Sequence, residues 1–161
     1  MSRTVDLAIG AAVGAVAALF VSKLLTKPEE PTVTLDARNE EGGKGWVYNS
    51  AQIYGGVVYA SGQVAIQVLG PNKVAGVETD ARIEADFCME NLKQVLKESG
   101  SDLSKVMRTT CLLADIKDYA EFNKIYEAYF PDKATRPARV CFAVKSLPLG
   151  AKVEVACEAY V

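Results

Sequence analysis

Between Arg136 and Tyr160 the chain reads RPARVCFAVKSLPLGAKVEVACEAY, and this stretch constrains the fold more than any other. Val140, Phe142 and Val144 alternate along a first strand, and Val153 and Val155 alternate with Lys152 and Glu154 along a second. Alternation at period two marks strands with one buried face. Leu147-Pro148-Leu149-Gly150 supplies a bend, so the two strands are expected to form a hairpin-like unit. Each carries a charge among apolar neighbours: Arg139 lies between Ala138 and Val140, and Glu154 between two valines. An unpaired buried charge costs several kcal/mol or more. The two residues therefore predict either an internal ion pair or the wall of a site for a small charged ligand.

The elements ahead of this unit follow from periodicity and turn chemistry. Trp46–Ile53 and Val57–Val64 read as strands around a Gly55-Gly56 turn, a direct hairpin signal. Gly62, within Ser61-Gly62-Gln63, permits a close backbone approach. An irregular stretch follows, with Gly70-Pro71-Asn72 as a turn. Asp80–Glu98 is helical: Ile83, Phe87, Cys88, Leu92, Val95 and Leu96 form the apolar face, Thr79 or Asp80 caps it, and Gly100 stops it. Val106–Ala114 is a strand, and Tyr119, Phe122, Ile125, Tyr126 and Tyr129 recur at helical spacing before Pro131. The order β-β-α-β-α-β-β predicts an α+β layer with both helices on one sheet face. The opposite face then has to meet something apolar, so self-association is expected.

Composition matters mainly for what it removes. The chain has no histidine among its 161 residues, which excludes Ser-His-Asp and Cys-His catalysis and leaves acid–base work to carboxylates, tyrosine, cysteine, lysine, backbone or water. A net charge of −2 gives no electrostatic footprint for nucleic acid. Cys88, Cys111, Cys141 and Cys157 lie far apart with no CxxC pair; they read as reduced, buried thiols rather than a zinc site.

Residues 1–27, MSRTVDLAIGAAVGAVAALFVSKLLTK, stand outside the core pattern. From Leu7 to Val21 no polar side chain occurs, and with Leu24 and Leu25 the run reaches roughly 19 residues, enough for a helix to cross a bilayer core. Gly10 and Gly14 form a GxxxG step, and Arg3, Lys23 and Lys27 can sit at the headgroups. Asp6 and the lack of a small-x-small site argue against a secretory signal, and one arginine with one acid argues against a matrix presequence. A helix apolar on every face is also unlike a soluble core helix. The segment is therefore expected to be an uncleaved anchor over residues 5–25, in the mitochondrial outer membrane with the domain in the cytosol. Cytosol, or matrix after cleavage, is the alternative. Residues 28–44 are polar, with two prolines and Gly42-Gly43, and read as a linker in which Thr32 to Leu35 form an edge strand.

The C-terminal unit also carries a likeness. PARVCF followed by SLPLGAKVEV resembles the signature of the reactive intermediate (imine) deaminase, or endoribonuclease L-PSP, family. YASGQ at Tyr59–Gln63, RTTCLLADIKDY at Arg108–Tyr119 and FNKIYEAYF at Phe122–Phe130 extend the likeness over about residues 45–161. The resemblance implies a chorismate-mutase-like fold, a homotrimer with clefts between adjacent subunits, and hydrolysis of 2-iminopropanoate and 2-iminobutanoate to 2-keto acids and ammonia. It implies no metal or organic cofactor. Carried over position by position, Arg139 is similar to the family's carboxylate-binding arginine and Glu154 to the acid that orients water. Cys141 is similar to the neighbour whose backbone lines the pocket, and Ser61, Asn123 and Tyr48 fall at further substrate-binding positions. Where many members have Gly-Pro-Tyr, this chain has Trp46-Val47 before Tyr48, which bears on the mouth of the pocket and on substrate range. Val155 stands where the signature usually has Ile or Met.

These residues suit that chemistry. A guanidinium fork gives a carboxylate two parallel charge-assisted bonds, whereas lysine holds it as a point charge. A carboxylate beside C2 can take a proton from water and return one to departing ammonia. Each residue also has a plainer reading: an Arg139–Glu154 structural pair, a core Cys141, a Ser61 that satisfies backbone groups, and Asn123 as a helix cap. Two other functions compete with the deaminase: an RNA-cleaving translation inhibitor, which would want histidine or a basic groove, and a non-catalytic ligand-binding trimer.

Overall fold

The computed structural model describes residues 32–34, 48–68, 74–76 and 80–161. The expected anchor, most of the linker, Trp46-Val47 and the Gly70-Pro71-Asn72 turn lie outside the described residues. Among those described, no helix is long and apolar enough to cross a membrane.

Six strands form one sheet in the order β1-β2-β3-β8-β6-β7. They are β1 (Thr32–Thr34), β2 (Ala51–Tyr54), β3 (Val57–Val64), β6 (Val106–Leu113), β7 (Ala138–Ala143) and β8 (Val153–Tyr160). The expected β2–β3 hairpin is present, and Gly55 and Gly56 turn it at φ 57° and 76°, a left-handed pair that glycine adopts without a Cβ penalty. The stretch after β3, read as irregular, instead holds a small second ladder, β4 (Ile66–Val68) against β5 (Val74–Gly76).

The C-terminal hairpin expectation is corrected. β7 runs parallel to β6, β8 runs antiparallel to β6, and β6 lies between them. The chain leaves β7, passes a 3-10 turn at Pro148–Gly150, and crosses over to enter β8 on the far side of β6. In β8 the alternation marks the buried side correctly, at Val153 and Val155, but in β7 it is reversed: Arg139 and Cys141 face the helices, and Val140 and Phe142 lie on the open face, where Phe142 is exposed. Nor did the pattern of either strand carry information on which strand would be its neighbour.

Two helices, α1 (Ala81–Glu98) and α2 (Tyr119–Tyr129), cover one face. Asp80 caps α1 by accepting from the N–H groups of Arg82 and Ile83. Of the apolar face read in the sequence, Cys88, Leu92, Val95 and Leu96 are buried as expected, whereas Ile83 is exposed and Phe87 half-buried; in the first half of α1 the inward positions are taken by Ala81, Glu84, Ala85 and Met89. Between α1, α2 and the sheet lies a core of Phe122, Tyr126 and Phe130 packed against Val58, Leu113, Val153 and Val155. The other sheet face carries Tyr54, Tyr59, Phe142 and Tyr160, all exposed. The α+β layer with helices on one side is thus as expected.

Candidate functional site

Strand register decides how the candidate residues are distributed. Thr109 is buried on the helix side and is the register partner of Arg139, so the arginine of edge strand β7 projects toward α2. Val153 and Val155 are fully buried on that same side, so Glu154 between them projects from the open face. Arg139 and Glu154 therefore point away from opposite faces of one sheet. The structural ion pair considered from sequence does not form, and no carboxylate among the described residues bridges to Arg139.

Around Arg139 the helix α2 supplies a cradle. Nη1 donates to Asn123 Oδ1 at 2.8 Å and Nη2 donates to the Tyr119 hydroxyl at 3.0 Å. The guanidinium lies 4.6 Å from the centroid of the Tyr126 ring, a cation–π distance. Tyr126 is itself fixed by a buried 2.8 Å hydrogen bond with Thr109. Tyr119, Asn123 and Tyr126 stand at i, i+4 and i+7, one stripe of the helix. Two N–H donors are thus committed within the chain, and the rest of the fork is available to an anion. Cys141 follows on the same face, half-buried and register-paired with Cys111. Burial pushes its thiol above the ordinary range, and the opposing pull of Arg139 is smaller, so it stays protonated at neutral pH.

Glu154, Ser61 and Gly62 gather on the other side. A Cβ added at Gly62 would overlap Glu154 Oε1 and lie 2.7 Å from the carboxyl carbon, so only glycine lets the carboxylate rest there. A register irregularity between Ala60 and Gln63 places this glycine against β8. Burial raises the Glu154 pKa above the usual carboxylate value, and among the described residues nothing donates a hydrogen bond to it. Ser61 Oγ donates to Asn49 carbonyl at 2.6 Å, so its proton is spent on the backbone, as the plainer reading had it. Tyr48, one residue before Asn49, is about half exposed. The structure thus brings Arg139, Asn123 and Cys141 together, and separately Glu154 and Ser61, with Tyr48 near the second group along the chain.

Sequence reasoning passed over Tyr119 and Tyr126 as partners of Arg139; their i, i+7 relation around Asn123 was the available signal. Among the described residues no group of three or more Cys, Asp or Glu is arranged to hold a metal ion.

A mostly antiparallel sheet backed by two helices, with an arginine offered at its edge strand, defines an α+β domain of the chorismate-mutase-like kind. A model of the endoribonuclease L-PSP family matches residues 46–161, and the chain belongs to this family, also called Rid. The 2-iminobutanoate/2-iminopropanoate deaminase of Homo sapiens is 35% identical over 108 residues, 67% of this chain and 75% of that protein. Protein mmf1, mitochondrial, of Schizosaccharomyces pombe is 41% identical over 113 residues, 68% of this chain and 65% of that protein. The crystal structure of yeast Mmf1 aligns with a TM-score of 0.70 at 30% identity, covering 81% of this chain and 98% of that one.

Proposed function

We propose that this domain hydrolyses small 2-imino acids, 2-iminopropanoate and 2-iminobutanoate, to 2-keto acids and ammonia, in a homotrimer whose sites lie between subunits. The observation that carries the reading is the division of unpaired charge. Arg139 offers a free part of its fork at one edge of the sheet, and Glu154 stands without a hydrogen-bond donor on the opposite face. A second copy seated against the open face brings one chain's carboxylate toward the next chain's guanidinium. That face suits such an assembly: Tyr54, Tyr59, Phe142 and Tyr160 are exposed there, and Glu158 Oε2 is sealed from solvent without a partner. The deaminase name of the human relative supports the substrate class.

In this reading Arg139 binds the substrate carboxylate bidentately and fixes C2 relative to a water held by Glu154. The protonated imine, C=NH2+, accepts the water oxygen at C2 while Glu154 takes the released proton, giving a carbinolamine. Glu154 then returns that proton to nitrogen, the C–N bond breaks, and ammonia leaves while the C2 hydroxyl gives its proton back to Glu154 and becomes the keto carbonyl. The departing ammonia or solvent then takes the proton from Glu154, which restores the carboxylate. An enamine such as 2-aminoacrylate enters after tautomerising to 2-iminopropanoate.

The test is an assay of the protein with 2-aminoacrylate generated in place, following pyruvate and ammonia together. Release faster than the spontaneous rate and proportional to protein supports the reading; release at the spontaneous rate, with 2-keto acids still bound, favours a non-catalytic trimer.

We also infer that residues 5–25 anchor the chain in a mitochondrial membrane, with residues 28–44 as linker and 45–161 as the deaminase domain. The apolar run is what supports the anchor, and the mitochondrial name of the S. pombe relative supports the organelle alone. The full chain is expected to remain with the mitochondrial membrane pellet after alkaline carbonate extraction, and residues 28–161 to be released. Extraction of the full chain would contradict the anchor.

A further inference from the structure

The helix α1 carries a polar stripe that neither the core nor the Arg139 cradle explains. Glu84, Cys88 and Asn91 follow one another at i, i+4 and i+7, and each holds a backbone group of the sheet. Glu84 Oε2 accepts from the Lys152 N–H at 2.6 Å, Cys88 Sγ donates to the Val153 carbonyl at 3.3 Å, and Asn91 Nδ2 donates to the Val64 carbonyl at 3.0 Å. Lys152 and Val153 are the two residues immediately before Glu154, and Val64 is the register partner of Glu154 on β3. Three side chains on one face of the sheet thus grip the backbone that carries a carboxylate on the other.

Glu84 is the member that packing alone accounts for least. It is 2% exposed among apolar neighbours, where a carboxylate is costly, and its nearest cation, Lys152 Nζ, stands 3.9 Å away. Lys152 is held from the other side too, its carbonyl accepting from Ala114 N–H at 2.9 Å. The turn just ahead contains Leu149 at φ 57°, a left-handed conformation that leucine rarely adopts. Strain of this kind persists only where the surroundings hold it, and Glu84 holds the exit of the turn through the Lys152 N–H.

We propose that Glu84 is a positioning residue, acting through the Lys152 N–H to set the height and angle at which β8 presents the Glu154 carboxylate over Gly62. The proposal rests on the reading of Glu154 as the proton acceptor. Because Glu84 is buried on the helix side of the sheet, opposite the face that presents Glu154, its loss is expected to affect the chemical step rather than the grip on substrate, which belongs to Arg139.

Three variants of the full chain test this, each checked for folding by thermal denaturation. Glu84→Ala is expected to lower kcat for 2-iminopropanoate about tenfold or more, with KM within about twofold of wild type. Glu84→Gln keeps an oxygen acceptor for the Lys152 N–H and is expected to retain kcat within about threefold. An unchanged kcat in Glu84→Ala, or an equal loss in the alanine and glutamine variants, overturns the proposal. If Glu84→Ala fails to fold, Asn91→Leu takes its place: releasing Val64 is expected to give the same kcat-selective loss, and wild-type kcat there overturns it. Should the wild-type protein turn over no imino acid, the functional reading fails, and the crystal structure of Glu84→Ala decides the positioning claim. A Glu154 carboxylate displaced from Gly62 supports it, and one that has not moved refutes it.

Discussion

Replacing Arg139 by alanine is expected to lower kcat/KM for 2-iminopropanoate by roughly 10²- to 10⁴-fold, since two charge-assisted hydrogen bonds each contribute about 1.5–3 kcal/mol. The loss is expected mainly in KM, because the substrate carboxylate is gripped alike before and during the reaction. Lysine at the same position restores charge but not the fork, and is expected to recover only part of the affinity. Stability is expected to change little. Asn123 and Tyr119 remain within reach of water, and Tyr126 keeps its bond to Thr109. A substantial fall in Tm would mean that the arginine was a structural strut, and kcat/KM within about threefold of wild type would remove it from the mechanism.

The second large effect is expected from Glu154→Gln, which preserves size against Gly62 while deleting the proton acceptor. A drop of about 10²-fold in kcat with KM nearly unchanged is the predicted result, at the lower end of what a positioned general base contributes. The pH profile gives an independent reading. Burial raises the Glu154 pKa above the ordinary range of a glutamate, so the acidic limb of kcat/KM is expected above that of a solvated carboxyl and is lost in the glutamine variant. The sign for stability is opposite to that for activity. A carboxyl whose pKa is higher folded than unfolded contributes stability below the unfolded pKa, and that contribution is lost as pH rises through the folded pKa. At neutral pH, where catalysis needs the anion, the anion disfavours the folded state, so Glu154→Gln is expected to be neutral or stabilising in denaturant unfolding. Destabilisation at neutral pH would show that the carboxylate is held by partners rather than kept ready for a proton.

Much of this architecture was legible from local chemistry. Gly55-Gly56 between β-rich runs specified the β2–β3 hairpin, and Asp80 with Gly100 bracketed α1, because turns and caps are decided by residues that sit in them. Neighbour choice was not legible. The alternation around Val140 and Val153 described two good strands, yet β6 separates them, since parallel pairing with β6 is set by the crossover through α2 and not by either strand's own pattern. The inward stripe of α1 was legible from Cys88 to Leu96 but not in the first turns, for a related reason. A search for apolar residues selects Ile83 and passes over Glu84, whose carboxylate is met by the backbone N–H and ammonium of Lys152, far along the chain.

The candidate site divides in the same way. Sequence singled out Arg139 and Glu154 as charges out of place, and the resemblance gave them roles. Their presentation on opposite faces of the sheet depends on strand register, which the sequence does not print. Tyr119 and Tyr126 were read only as core aromatics. Periodicity could mark their stripe, but not that an arginine from β7 lies across it.

Shared sites make a demand that neither substitution tests by itself. If Arg139 of one subunit works with Glu154 of the next, then Arg139→Ala and Glu154→Gln chains, each nearly inactive, complement one another when mixed. Equal amounts co-refolded into random trimers are predicted to regain about one quarter of wild-type activity, because each interface has that chance of joining an intact arginine to an intact glutamate. Activity that stays at the average of the two separate variants would place both residues in one chain's site, or in none, and would contradict the account.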